Sequence, residues 1–394
     1  MLCGNIWKGR VIVGISEDIS VGPPVNRKEV LGKIADLLDR QGINVDEVGK
    51  IGRVSIYQSL TKNDDGEAEI HDLMGIQFSP AWETGPQWPV INPGKAVNVK
   101  VVLPKTITKP EGYETAVILP DIQFGYYRDS DSNLVSTHDE TALKIALNII
   151  GALSPTKVIL VGDNMDFPEF GKYRLSPAFA MTTQASIDRA TMFCAELRAC
   201  APNAEIVWLA GNHEERLPNY VLDNAKAAFG LRRGDTPDNW PVLSVPHLCR
   251  FDDYRISYLA GYPASSYWVN ERLRVIHGDK VASGGSTAHK YLATSKTSVV
   301  FGHIHRREWA ERSREDFDGA KTILAASPGT LAKTDGAVPS TKGGIDLDGR
   351  PLPIVEDWQQ GLAVVTYQPG DGEFWYEQIP IHSGRAWWRG SLYA

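Results

Sequence analysis

Five short polar blocks, each directly following an apolar run, constrain this chain more than any other feature. They are Asp121-Ile122-Gln123, Gly162-Asp163-Asn164-Met165-Asp166, Gly211-Asn212-His213-Glu214, His277-Gly278 and Gly302-His303-Ile304-His305. The runs before them, residues 115–120, 157–161, 205–210, 272–276 and 298–301, read as buried strands. Each block therefore sets Asp, Asn or His at a strand end. Taken singly, each has an ordinary reading. Asp121 would be a strand-end turn residue, Asp163 a helix N-cap or turn, Gly211-Asn212 a turn, and His277 a satisfied core histidine. Taken together and in this order, they supply enough carboxylate, amide and imidazole ligands for two adjacent metal ions.

The surrounding pattern from residue 115 is βαβαβ. Thr137 and Glu140 form a capping box for a helix running to about Leu153, with Leu143, Ile145, Ala146 and Ile149 on its apolar side. A second helix is predicted from about Thr183 to Ala199, and later strands over 322–326 and 362–368. Continuous apolar runs separated by helices predict a sheet covered on both faces. Ligands in such α/β folds collect beyond the carboxyl ends of the strands, where all five blocks fall. The first 79 residues read as an accessory helical or α+β region. Asn26 and Glu29 form a capping box, Val30, Leu31, Ile34, Leu37 and Leu38 one helical face, and Gly42 a stop. A second helix is predicted from Asp46 to about Leu60, giving a helical hairpin that packs or docks, with a helix-turn-helix as the other reading. Residues 67–79 read as a strand or hairpin. The stretch 80–112 is a proline-rich connection carrying Trp82 and Trp88, and 113–394 forms the main domain.

Asp, Asn and His without Cys suit Mn²⁺ foremost, with Fe, Zn²⁺ or Mg²⁺ as alternatives. Two ions about 3.5–4 Å apart need one bridging ligand, for which a carboxylate is the natural choice. Coordination to such ions makes water a competent nucleophile near neutral pH and neutralises charge on phosphoryl oxygens, so the expected chemistry is phosphoester hydrolysis.

From about residue 115 to 380 the motif set resembles the calcineurin-like metallophosphoesterase family. The resemblance implies an α/β fold built as a β-sandwich flanked by helices, here with a small N-terminal α+β extension. It implies that Asp121 binds the first metal, Asp163 bridges both, Asn212, His277 and His303 bind the second, and His305 returns to the first. His213 would be no ligand. It would sit over the substrate and assist the leaving oxygen, oriented by Asp166. Ser327-Pro328-Gly329-Thr330 resembles the family's turn before its closing strands. One departure stands out. The family's first block is Asp-x-His, and here Gln123 replaces the histidine. Its amide oxygen can coordinate a hard cation or hold a bound water, but it is a weaker donor than imidazole for Zn²⁺.

Substrate signals are thinner. The Ser/Thr-phosphatase branch carries Arg after the second Asp of block two, where this chain has Phe167. Arg216 is a candidate phosphate clamp, against the alternative of a helix surface charge. Tyr126, Tyr127 and Arg128 would meet a base or sugar, or pack at a loop start. Residues 164–184, with Phe167, Phe170, Tyr173 and Arg174, form either a lid or wall of a substrate pocket or a surface Ω-loop. His247 and His289 are further candidates for substrate contact, and His71, His138 and His382 read as structural or surface residues. A net charge of −7 argues against a broad basic face for duplex nucleic acid. Cys3, Cys194, Cys200 and Cys249 have no paired metal-ligand spacing and read as reduced thiols. No signal peptide or membrane-spanning run is present, so an intracellular, cytoplasmic site is expected. Compact chains with Gln in the first block resemble phosphoesterases often seen in phage genomes, which would place the protein in the host cytoplasm. The leading expectation is a dimetal phosphodiesterase (a nuclease among the possibilities) acting on nucleotides or nucleic acid. A phosphomonoesterase or protein phosphatase, and a non-catalytic scaffold retaining the fold, are the alternatives.

Overall fold

The computed structural model describes residues 111–394, apart from 173–174, 235–239, 318, 342–343, 347–348 and 353. Before residue 111 it describes 48–62 and 66–80 with a few positions between 32 and 42. The chain divides into two compact units, Met1–Gly94 and Lys95–Ala394.

In the first unit, the described helical positions include a buried Leu38 among exposed neighbours. The helix ends at Gly42, whose φ of 65° suits a residue without Cβ and whose N–H bonds Asp39 O at 3.1 Å. The capping box at Asn26 and Glu29, and Trp82 and Trp88 of the proline-rich stretch, lie outside the described residues. The second helix predicted from Asp46 is instead a strand, β1 (Val48–Lys62), paired antiparallel with β2 (Ala68–Pro80). The reason is visible in residues 53–60, where Arg, Ser, Tyr and Ser alternate with Val, Ile, Gln and Leu. Period-two alternation with β-branched residues and two glycines opposes a helix. The register sets Val54 opposite Ile76 and Leu60 opposite Ile70.

The second unit holds two large sheets and two small ones of two strands each. The first contains β3 (Glu114–Leu119), β6 (Lys157–Leu160), β7 (Glu205–Leu209), β8 (Ile256–Leu259), β14 (Gly361–Tyr367) and β15 (Phe374–Pro380), in the order β15-β14-β3-β6-β7-β8. Its strands β3, β6, β7 and β8 run parallel. The second contains β9 (Tyr267–Asn270), β10 (Leu273–Ile276), β11 (Ser298–Phe301), β12 (Arg307–Asp316) and β13 (Gly319–Pro328), in the order β12-β13-β11-β10-β9. A hairpin of β4 (Tyr126–Arg128) and β5 (Leu134–Ser136) follows the first block, and β16 (Ala386–Trp388) and β17 (Ser391–Tyr393) close the chain.

Alternation along β3 explains the layering. Ala116 and Ile118 join a core shared with Ile159, Val207, Val275, Val300 and Leu324, drawn from both sheets. Val117 and Leu119 face a separate core with α1 (Glu140–Leu153) and α2 (Thr183–Cys200), through residues such as Leu143, Ile149 and Phe193. The other helices are α3 (Arg216–Asn224), the short α4 (Val245–Leu248) and α5 (Thr287–Thr294). Tyr291 and Leu292 of α5 cover the outer side of the second sheet against Val299 and Phe301. The chain is thus mixed α/β, with the second sheet supplying one of the two expected covers of the first. Each fully buried Ile or Leu in these layers contributes about 1.5–3 kcal/mol, which fixes the strand ends that carry the polar blocks. Among the described residues no helix is long and apolar enough to cross a membrane.

The cap of α1 differs from expectation. Asp139, not Thr137, accepts from Thr141 N at 2.9 Å and Ala142 N at 3.1 Å. Thr137 is occupied elsewhere, donating its hydroxyl to Gln123 O at 3.1 Å.

Candidate metal centre

All five blocks meet at the carboxyl ends of β3, β6, β7, β10 and β11. Asp121 and Asp163 are buried, as are Gln123, His277 and His305. Two groups of ligand atoms arise, each within 4.8 Å: Asp163, His277 and His303, and Asp121, Asp163 and His305. Asp163 belongs to both. Asn212 completes the first group, its Oδ1 lying 3.1 Å from His277 Nε2 and 2.9 Å from His303 Nδ1. Gln123 completes the second, its amide nitrogen lying 3.4 Å from His305 Nε2, which is 3.3 Å from Asp121 Oδ1.

The backbone supports this convergence at a cost. Asp121, Gln123, Asp163, His303 and His305 have φ of 33°, 58°, 48°, 69° and 56°, a region that costs an L-residue about 1–3 kcal/mol. The Ser327–Thr330 turn ties down the first block, since Thr330 Oγ1 donates to Asp121 O at 2.7 Å. Gly211 and Gly302 are there for space. A Cβ on Gly211 would fall 2.2 Å from Asp163 Oδ1, and one on Gly302 2.5 Å from Asp121 Oδ2.

Sequence reasoning gave no role to Glu214, yet it organises the second block. Its buried carboxylate accepts from Asp163 N and Asn164 N at 2.9 Å, Met165 N at 3.0 Å and Gly211 N at 2.8 Å. Burial and the neighbouring Asp163 push its pKa up, while the Met165 and Gly211 N–H groups push back. Glu169 does similar work in the 164–184 loop, accepting from the backbone at Met181 and Thr183, which starts α2.

Electrostatics favour positive charge among the ligands. Burial alone would raise the Asp163 carboxyl and lower His277. Their mutual attraction, with His213 adding to it, holds Asp163 well below the usual carboxylate range and lifts His277 to about 9. Burial and the neighbouring His277 lower His303. The donor set fits divalent cations. Asp121 Oδ2 and Gln123 Oε1 are buried with no hydrogen-bond partner, a costly arrangement unless something cationic or polar meets them. His277 Nδ1 lies 3.1 Å from Val161 O, the kind of bond that fixes a ligating imidazole, with Nε2 turned toward Asn212 and Asp163.

His213 lies beside the groups. Its N–H bonds Asp163 Oδ1 at 2.9 Å, and its Nδ1 is 3.4 Å from Asp166 Oδ1. Arg216 reaches His213 Nε2 at 2.7 Å and Asp166 O at 2.7 Å, so it is no solvated helix charge. The other candidates are placed as follows. Tyr127 is core packing against Phe179, and Arg128 bonds Ser132 O. Phe167 is buried against Phe170. Tyr173 and Arg174 lie outside the described residues. His247 sits on α4 and His289, exposed, on α5, outside both ligand groups. His138 is buried and bonded to Glu140 at 2.9 Å. Two aromatic residues absent from the sequence reading border the ligands: Tyr262 packs edge-on 5.6 Å from His277, and Trp358 lies 4.0 Å from His305.

No family model matches the chain. It is 27% identical over 178 residues to the Gene 54 protein of Mycobacterium phage D29, covering 43% of this chain and 64% of that protein. It is 22% identical over 256 residues to the Gene 54 protein of Mycobacterium phage L5, covering 63% of this chain and 90% of that protein. The chain thus spans less than two thirds of the D29 protein, and its similarity runs to proteins of mycobacteriophages.

Proposed function

We propose that this chain is a dimetal phosphoesterase of the calcineurin-like type, cleaving phosphodiesters of nucleotides or nucleic acid. The observation that carries the reading is Asp163, which alone belongs to both ligand groups. Asp121, Gln123 and His305 would hold one cation, Asn212, His277 and His303 the other, and Asp163 would be shared. Divalent cations bound there, Mn²⁺ foremost, would neutralise phosphoryl charge and acidify the attacking water.

The chain's own groups do the rest. Asp166 faces Nδ1 of His213, and Nε2, which accepts from Arg216 here, would take up a proton once Arg216 turns to the phosphate and would pass it to the leaving oxygen. Arg216 NH2 contacts that same Nε2 and is placed to exchange it for a phosphoryl oxygen, a charge-assisted bond suited to guanidinium. Phe167, buried where the Ser/Thr-phosphatase branch has Arg, offers no phosphate ligand, which favours a diester over a phosphoprotein. Phage relatives and free cysteines at Cys194, Cys200 and Cys249 support a working place in the host cytoplasm.

The test is turnover with Mn²⁺ of bis-p-nitrophenyl phosphate, p-nitrophenyl phosphate, and single-stranded and duplex DNA. Diester cleavage should exceed monoester cleavage. H213A should keep its cations and lose about 10²–10⁴-fold in rate. Full activity of H213A on an ester with a poor leaving group would remove the assigned role. No turnover by the wild type with any of several metals would favour a scaffold.

A further inference from the structure

The two ligand groups are not supported alike. A ligating imidazole is normally fixed through its second nitrogen by a carbonyl or carboxylate, which also raises its basicity. His277 has that support in Val161 O at 3.1 Å. His305 does not. It is 4% exposed, its Nε2 faces Asp121 and Gln123, and its Nδ1 is buried without a hydrogen-bond partner. What meets the ring instead is Trp358, 4.0 Å away between centroids at an interplanar angle of 80°.

That contact is built in. The residue after Trp358 is tied to the histidine's own backbone: Gln359 N donates to His305 O at 2.9 Å, and Gln359 Oε1 accepts from Arg307 N at 3.1 Å. Gln359 O accepts from Thr330 N at 3.1 Å, on the turn whose hydroxyl holds Asp121. Gly329 permits the approach, since a Cβ there would lie 2.2 Å from Gln359 O. The segment that carries Trp358 is thus locked to the same group that contains His305.

Resting on the dimetal reading above, we propose that Trp358 is a positioning residue for His305, doing by ring packing what a backbone carbonyl does for His277, and that the Asp121/Gln123/His305 position is consequently the weaker and more exchangeable of the two cation positions. Packing fixes a ring's direction but does not polarise it, so the donor is held in place without being made more basic. Gln123, an amide in place of an imidazole, lowers the donor strength of the same position.

The test is calorimetric titration of Mn²⁺ into the chelator-stripped full chain, with Co²⁺ absorption reporting the ligand field. Wild type should show two classes of site. In W358A the weaker class should lose about 10- to 100-fold in affinity while the tighter class stays within about 2-fold, and W358F should recover most of the loss. Should W358A not fold, W358L keeps apolar bulk without a flat ring and carries the same expectation. Equal weakening of both classes, no change in either, or a Phe variant no better than Ala would overturn the proposal. Wild-type protein that takes up neither ion would overturn the dimetal reading with it, whereas two unaltered classes in W358A would overturn this proposal alone.

Discussion

At the scale of single residues, the site depends on groups that hold other groups. Glu214 is one. Swapping its carboxylate for an amide in E214Q replaces one acceptor oxygen with a donor, which then faces backbone N–H groups at Asp163, Asn164, Met165 or Gly211. Leaving a buried donor unmet costs about 1–3 kcal/mol. E214Q should therefore unfold at lower denaturant and bind Mn²⁺ more weakly, because the displaced loop carries Asp163. Unchanged midpoint and affinity would show that the loop holds itself. Gln123 is the second case. Its amide lies against His305 with Oε1 unpartnered, so Q123H places an imidazole where a weaker donor now sits. The expected outcome is tighter binding at one of the two positions and a shift in metal preference toward Zn²⁺, read by competitive titration. Identical stoichiometry and affinity in both forms would exclude Gln123 as a ligand.

Elements set where such residues arrive, and the entry to α1 shows how. His138 is buried, Glu140 opens the helix, and Arg189 of α2 bonds Glu140 at 2.7 and 2.8 Å. Burial lowers His138 below its ordinary 6.5. Burial would raise Glu140, but hydrogen bonds from Arg189 and His138 outweigh it and hold the carboxyl well below its ordinary 4.5. Both groups are depressed in the fold, so the unfolded chain binds more protons and stability falls as pH drops. The loss should begin below 6.5 through His138 and steepen below 4.5 through Glu140. E140Q should keep the first phase and make the second shallower, the depressed Asp163 still contributing to it, in melting curves from pH 7 to 3, while curves superimposable on wild type would exclude the pair. The same region shows what sequence can carry. The blocks were legible because a strand end is a local event: an apolar run stops and Asp or His follows. The cap was not, since Thr137 and Asp139 are both good N-caps and the choice fell to distant partners, Gln123 O for Thr137 and Gln360, donating at 2.8 Å, for Asp139. Glu214 and Trp358 escaped notice for the same reason, as their roles exist only once separate segments meet. Residues 48–62 form a strand where a helix is predicted because their period-two alternation opposes a helical face.

For the whole molecule, every ligand of the proposed centre lies within the unit Lys95–Ala394, which has its own cores between and outside its two large sheets. A domain with its own core is expected to fold alone. Among the described residues, the unit Met1–Gly94 contributes a hairpin and no ligand to either group. A net charge of −7 gives the chain little general attraction for a polyanion, so a macromolecular substrate needs local recruitment. We therefore expect residues 95–394, expressed alone, to melt cooperatively, bind Mn²⁺ with the stoichiometry of the full chain and hydrolyse bis-p-nitrophenyl phosphate with unchanged kcat/KM. Cleavage of DNA by the same fragment should fall through a raised KM, with kcat retained. Equal loss on both substrates would mean that the first unit supports the centre itself, and full retention on DNA would mean that it does not recruit substrate. The KM-against-kcat split separates these outcomes because recruitment acts before the phosphoester reaches His213 and Arg216.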